Sequence, residues 1–168
     1  MANVKHAIVR TDNMSATRDG SLIVSGRFYD ADETAPIDNG NVVAIGDYDK
    51  GEREVRKVTV PAGTEKISEV GLVTTPELIY DESTRHGFED FVNEAGKEVI
   101  VFRFHANDIF SVTAEAFDGE PAKDKYAVVG NTTKIKVADS ATGTVIGKIV
   151  EVEKVGPDTY FAIQVTLQ

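Results

Sequence analysis

Residues 143–167 read GTVIGKIVEVEKVGPDTYFAIQVTL, two β-rich runs around a Val-Gly-Pro-Asp break. In the second run Phe161, Ile163, Val165 and Leu167 fall on one face and Tyr160, Ala162, Gln164 and Thr166 on the other, the period of a strand with one buried side. Its partner, Val145 to Val155, is less regular. Val150 and Val152 are expected to point inward and Glu151 and Glu153 outward, while Val145-Ile146-Gly147 breaks the alternation and predicts a bulge at Gly147. A hairpin this long needs further strands to bury its apolar face, so the chain around it should be β as well.

Working outward, runs of β-branched and aromatic residues bounded by Gly, Pro, Asn and Asp recur at Val4 to Arg10, Ser21 to Tyr29, Asn41 to Ile45, Glu54 to Val60, Gly71 to Thr75, Glu98 to Phe104, Phe110 to Ala116, Tyr126 to Val129 and Lys134 to Ala138. The expected fold class is mainly β, a small barrel or sandwich, with room for two similar subdomains. Residues 1–20 read as an N-terminal strand and arm, 21–105 as a β subdomain and 106–168 as a barrel-like C-terminal subdomain, or all as one continuous domain. One helix is expected at about 88–95, where Phe88, Phe91, Val92 and Ala95 are spaced i, i+3, i+4, i+7. Ser83 or Thr84 would cap it, Gly96 would stop it, and Phe88 and Phe91 would cover a barrel end. APIDNGNVVAIG at 35–46 and EPAKDKYAVVGN at 120–131 each run from Pro through a polar turn into a Val-rich strand. Either duplication or shared turn chemistry explains that echo.

A chain of 168 residues with 41% hydrophobic and 27% charged residues has the composition of a globular domain and not of a disordered one. The net charge of −10 opposes a phosphate backbone and argues against nucleic acid as a partner. No run is long and apolar enough for a membrane span, and no signal peptide is expected at the N-terminus. Without cysteine, disulfides and thiolate metal sites are excluded. Asn13-Met14-Ser15 and Asn131-Thr132-Thr133 match the glycosylation sequon, read as chance in the absence of a secretory route.

Groups that often carry chemistry are present but scattered. His6 reads as an exposed strand residue, His86 has only local Ser83, Asp81 and Asp90 around it, and His105 opens a turn that Asp108 serves. Asp47 to Glu52, DYDKGE, has the start of a calcium loop but lacks its later oxygen ligands, and reads as a solvated hairpin tip. Glu151 and Glu153 share a strand face, as solvent-facing charges do. The sequence has no phosphate loop, nucleophile elbow or zinc helix. The expectation is therefore no enzyme, no cofactor and no metal.

Within residues 1–27 the cations Lys5, Arg10, Arg18 and Arg27 outnumber Asp12 and Asp19, inside an otherwise acidic chain. RTDNMSATRDG, Arg10 to Gly20, has little periodicity and an exposed-looking Met14, so it reads as an extended arm or a polar loop. Lys5, Arg10, Asn13, Met14 and Arg18 are the candidate partner contacts. As an arm, residues 1–20 should be removable with the rest of the domain still folded.

NVKHAIVRTDNM at the start, NDIFSVTAEAFDGEPAKDKYAVVG, and ATGTVIGKIVEVEKVGPDTYFAIQV resemble structural proteins of tailed phages and prophages of Gram-positive bacteria. They are similar to capsid decoration, or cement, proteins, small β-barrels with a Pro, a polar turn and a Gly-Asp-Val-Val-like strand, matched here by Pro36 through Val43 and Pro121 through Val129. The Gly-Asp pair is missing before Val128, where Lys125-Tyr126-Ala127 stands. The resemblance implies a virion protein made in the host cytoplasm that stabilises the shell by binding the major capsid protein, with a homo-oligomer such as a trimer among its forms. Two alternatives stay open: a carbohydrate- or surface-binding accessory module of a phage fibre or tail, and a small barrel enzyme with a carboxylate site.

Overall fold

The computed structural model describes residues 4–78 and 87–166, and among them thirteen strands form two sheets. The protein is mainly β, as the alternation along the chain requires. In the first sheet β2 (Ile23–Asp30) pairs in parallel with β5 (Val55–Thr59) and antiparallel with β7 (Glu98–Arg103). Between those two lie β4 (Val42–Tyr48) and β6 (Val70–Val73), so the order β2-β5-β4-β6-β7 returns to β2 and closes a barrel. The short β3 (Glu33–Thr34) turns back on the end of β2. Closure removes the free edges that would otherwise pair with other chains.

The second sheet repeats this plan. β8 (Ile109–Thr113) pairs antiparallel with β13 (Asp158–Val165), and after a 3-10 turn at Ala114–Ala116 the same stretch continues as β9 (Phe117–Asp118), parallel to β11 (Ile135–Ala138). β10 (Tyr126–Val129) and β12 (Val145–Val155) complete the order β13-β12-β10-β11-β9. Thus β8 with β9 stands where β2 stands, and β10 to β13 follow β4 to β7 strand for strand. Backbone details repeat as well. Ala31 (φ 54°) and Gly119 (φ 105°) each follow the Asp that ends the first strand, and Gly40 (φ 79°) and Asp124 (φ 71°) each sit two residues before the next strand. Gly71 and Gly147 occupy the same place on β6 and β12: a Cβ on Gly71 would lie 2.9 Å from the Phe102 carbonyl oxygen of β7, and one on Gly147 would lie 2.0 Å from that of Gln164 on β13. The echo of residues 35–46 in 120–131 is therefore part of a repeated fold topology.

Val24, Phe28, Val43, Val58, Val99 and Val101 fill the first barrel. A second, larger cluster holds Ile135, Ile146, Ile149, Phe161 and Ile163 of the second barrel together with Val42, Val70, Leu72 and Phe102 from the back of the first. Every residue of β6 is buried because one face meets each core. Burial of such side chains contributes about 1.5–3 kcal/mol each before chain entropy is subtracted.

Several local expectations are corrected. Only Phe88–Asp90 forms a 3-10 turn, and no helix covers 88–95. Phe88 is exposed, while Asn93 is buried in a bridge with Ile37, its side chain donating to the Ile37 carbonyl and to Asn39 Oδ1 at 3.0 and 3.1 Å. Eight residues with Asn93 among them, preceded by Gly87, cannot offset helix nucleation, and the bridge holds the backbone extended. The caps expected at Ser83 or Thr84 lie outside the described residues. In β12 the bulges fall on Ile146 against β10 and on Val150 against β13, flanking Gly147. The second bulge shifts the alternation, so Ile149 is buried while Val152 is exposed, instead of Val150 and Val152 pointing inward.

The loop of residues 61–66 joins the barrels. Glu65 Oε1 accepts from the Ala62 N–H at 2.6 Å and Oε2 from Gly63 and Thr64 at 2.9 and 3.1 Å, while the Glu65 carbonyl accepts from the Thr144 hydroxyl across the junction. Burial works to raise the Glu65 pKa, but these N–H donors outweigh it and hold the carboxyl below the ordinary glutamate value. A depressed folded-state pKa means the carboxylate stabilises the fold fully above the unfolded value and loses that contribution as pH falls below about 4.3. Glu65→Gln should therefore cost about 1 kcal/mol in urea denaturation at pH 7, with the gap to the parent shrinking toward pH 3. A gap independent of pH would show that the charge plays no part.

Candidate functional site: two surface clefts beside residues 13–25

The segment read as an arm is built into the second barrel. β1 (Val9–Asn13) pairs with β8, Ile8 and Thr113 exchange hydrogen bonds, and Met14 and Ala16 are each 1% exposed within the larger core. Met14 is thus an anchor and not an exposed contact. Its apolar side chain shares its periodicity with no strand, which is why it reads as a loop residue in the sequence.

Two 3-10 turns, Ser15–Thr17 and Gly20–Leu22, carry the chain from β1 to β2. Asp108, 2% exposed, holds the first one: Oδ1 accepts from the Ser15 N–H at 2.8 Å and the Ser15 hydroxyl at 2.6 Å, and Oδ2 accepts from the His105 N–H at 3.2 Å. Asp19 caps the second, accepting from the Ser21 hydroxyl and N–H, and these bonds lower its pKa below the ordinary aspartate value. Between the turns and the β7–β8 connection opens a cleft of about 420 Å³ lined by Asn13, Met14, Ser15, Arg18, Asp19, Leu22 and His105.

Ser15, His105 and Asp108 converge here, but not as a nucleophile relay. A triad needs the carboxylate on the imidazole so that the ring can take the hydroxyl proton. Here the carboxylate takes the hydroxyl directly, while His105 Nδ1 lies 3.4 Å from Ser15 Oγ and 3.1 Å from the Ala106 carbonyl oxygen. Asp108 ties a loop, and the arrangement is structural. Asp108 was legible as a turn residue, whereas its bond to Ser15, 93 positions away, was not.

The remaining expected contacts part company. Lys5 pairs with Asp158 at 2.7 Å, the bond raising its pKa above the ordinary lysine value. Arg10 lies over the Tyr160 ring at 5.6 Å and 3.4 Å from Asp12. Asn13, Met14 and Arg18 line the cleft, with Arg18 exposed. His6, expected at an exposed edge, is half-buried and bonded to Asp38 at 2.7 Å. His86 lies outside the described residues.

DYDKGE forms the hairpin tip between β4 and β5. Asp49 accepts from the Lys50 N–H, from the Tyr29 hydroxyl and from Arg27, which also faces Glu52 and Glu98 at 3.5 and 3.7 Å. Burial favours the neutral acid, but these donors together lower the Asp49 pKa below its ordinary value. Asp49 is committed to the fold, and among the described residues no group of three metal-ligating side chains gathers.

On the other side of Gly20–Leu22 a second groove of about 340 Å³ runs over the start of β2, with Ile23, Tyr48, Arg53, Glu54, Arg56 and Arg103 on its walls. Tyr48 and Arg56 are cross-strand partners, and the Arg56 guanidinium sits 4.2 Å from the Tyr48 ring centroid. These residues come from four separated stretches, and no local motif marks them.

The fold and these clefts define a mainly β protein built on one barrel plan used twice, with open polar grooves on its surface. No protein-family model, curated protein sequence or solved structure matches the chain.

Proposed function

We propose that this protein is a virion structural protein that decorates and stabilises a phage capsid by binding the lattice of major capsid subunits. The observation that carries the reading is the cleft at Asn13–Leu22, where Asn13 and Arg18, two of the five expected contacts, stand on a surface anchored by the buried Met14. A partner that meets a rigid surface loses little entropy in ordering it. The resemblance of the sequence to decoration proteins supplies the partner class. Binding the assembled lattice better than free subunits adds the binding free energy to shell stability, and many copies make weak contacts sufficient.

Mixing the purified protein with empty phage heads should give co-sedimentation that saturates at a regular copy number. Arg18→Glu, at an exposed position, should weaken attachment roughly five-fold, the equivalent of about 1 kcal/mol of binding free energy, while leaving the melting temperature unchanged. Absence of co-sedimentation, or irregular and unsaturable uptake, overturns the proposal.

A further inference from the structure

Three arginines line the groove over the start of β2 in a chain whose net charge is −10. Arg56 donates to the Gly46 carbonyl at 3.2 Å and Arg103 to the Ser68 carbonyl at 2.6 Å, so backbone oxygens orient both guanidinium groups and leave further N–H donors to spare. Among the described residues none of Arg53, Arg56 and Arg103 lies within 4.0 Å of a carboxylate, although Glu54 shares the groove. Lys5, Arg10, Arg27, Lys123, Lys125 and Lys148, by contrast, each have an acidic partner within 4.0 Å. Beside the arginines stand two exposed apolar side chains, Ile23 at 41% and Tyr48 at 56%.

We infer that this groove is a docking site for an acidic, extended segment of a partner protein, with carboxylates on Arg53, Arg56 and Arg103 and an apolar side chain against Ile23 and Tyr48. Guanidinium forks match carboxylates through paired N–H···O bonds, and Arg and Tyr beside a small apolar patch is the composition that dominates protein interfaces. A nucleic acid offers the same sign of charge, but the acidic remainder of the molecule repels a long polyanion, whereas a short peptide segment meets only the local field. The groove lies across Gly20–Leu22 from the Asn13–Arg18 cleft. This deepens the reading of the protein as a partner-binding scaffold by naming the chemistry of the partner.

The test uses the intact protein and a fluorescent peptide rich in Asp and Glu with a central leucine, alongside the same peptide with Asn and Gln in their place. Anisotropy should show salt-sensitive binding of the acidic peptide that exceeds binding of the amide peptide and falls about ten-fold in R53Q/R56Q. Arg53 is exposed, so R53Q alone keeps the test valid should the double variant lose stability. Amide chemical shifts should move at Ile23–Ser25, Tyr48 and Arg56 and stay still at the Gly156 turn. Equal binding of the two peptides, shifts confined to another face, tighter binding of a single-stranded oligonucleotide, or self-association that R53Q/R56Q abolishes would each overturn the inference. Because no phage head enters the experiment, its failure leaves lattice attachment through the Arg18 cleft untouched, and loss of lattice attachment leaves this result standing.

Discussion

Removing residues 1–20 is expected to unfold the protein and not to detach an arm. The deletion takes away Ala7, Ile8, Met14 and Ala16, all 4% exposed or less, and with them the β1 pairing to β8. It also leaves the buried Asp108 without the Ser15 donors. Met14→Ala alone should cost about 2–5 kcal/mol, because Met14 is among the largest fully buried side chains and its truncation removes apolar packing from the larger core. Against a total of about 5–15 kcal/mol for a domain, the whole deletion exceeds what the fold can lose. Circular dichroism and a thermal melt check this. A truncated chain that melts cooperatively near the parent temperature would show that the segment is peripheral. For the same reason a failure of the truncated chain to attach to the lattice would say nothing about contact residues, and point changes at exposed Arg18 are the informative ones.

Gly147→Ala should be as damaging in the second barrel. The added Cβ would sit 2.0 Å from the Gln164 carbonyl oxygen and 3.0 Å from the Val165 Cα, both backbone atoms of the strand that pairs with it. A clash with backbone can be relieved only by moving β12 from β13, in a stretch where Ile146, Ile149 and Ile163 are 0% exposed. The expected cost is about 3 kcal/mol or more, a fall of roughly 6–12 °C in melting temperature. Gly71→Ala tests the matching place in the first barrel, where the Cβ would meet Val101 Cγ1 at 2.5 Å and the Phe102 carbonyl oxygen at 2.9 Å. Its cost should be smaller, since a side-chain methyl can turn aside more easily than a main chain. Gly20→Ala, with nothing within 4 Å of the new Cβ, serves as the neutral control. Equal melting temperatures for all three would mean that the paired glycines are not the points of closest strand approach.

Strand positions are local properties, and the runs at 21–29, 54–60, 98–104, 126–129 and 160–167 carry most of the observed β2, β5, β7, β10 and β13. Period-two burial writes itself into any strand with one wet face. It fails where both faces are buried, as in β6, and where a bulge resets the phase, as at Val150. The expected helix failed for a related reason: its i, i+3, i+4 spacing was real, but Asn93 finds its hydrogen-bond partners at Ile37 and Asn39, more than fifty positions away. Of the candidate contacts, Asn13 and Arg18 lie on an open cleft, while Met14 proved an anchor and Lys5 the partner of Asp158.

By itself the sequence determined the β class, the turns, the terminal hairpin and the echo between 35–46 and 120–131, because propensity, alternation and turn chemistry act over a few neighbours. Only the tertiary structure decided that each half closes on itself, that the echo extends to a full repeat of strand order, and that Ala7, Ile8, Met14 and Ala16 belong to the core. It alone brought Arg53, Arg56 and Arg103 to the groove beside Ile23 and Tyr48. The physical reason is that ring closure, core membership and charge clustering depend on contacts between residues far apart in the chain, and such contacts leave no periodic trace along it.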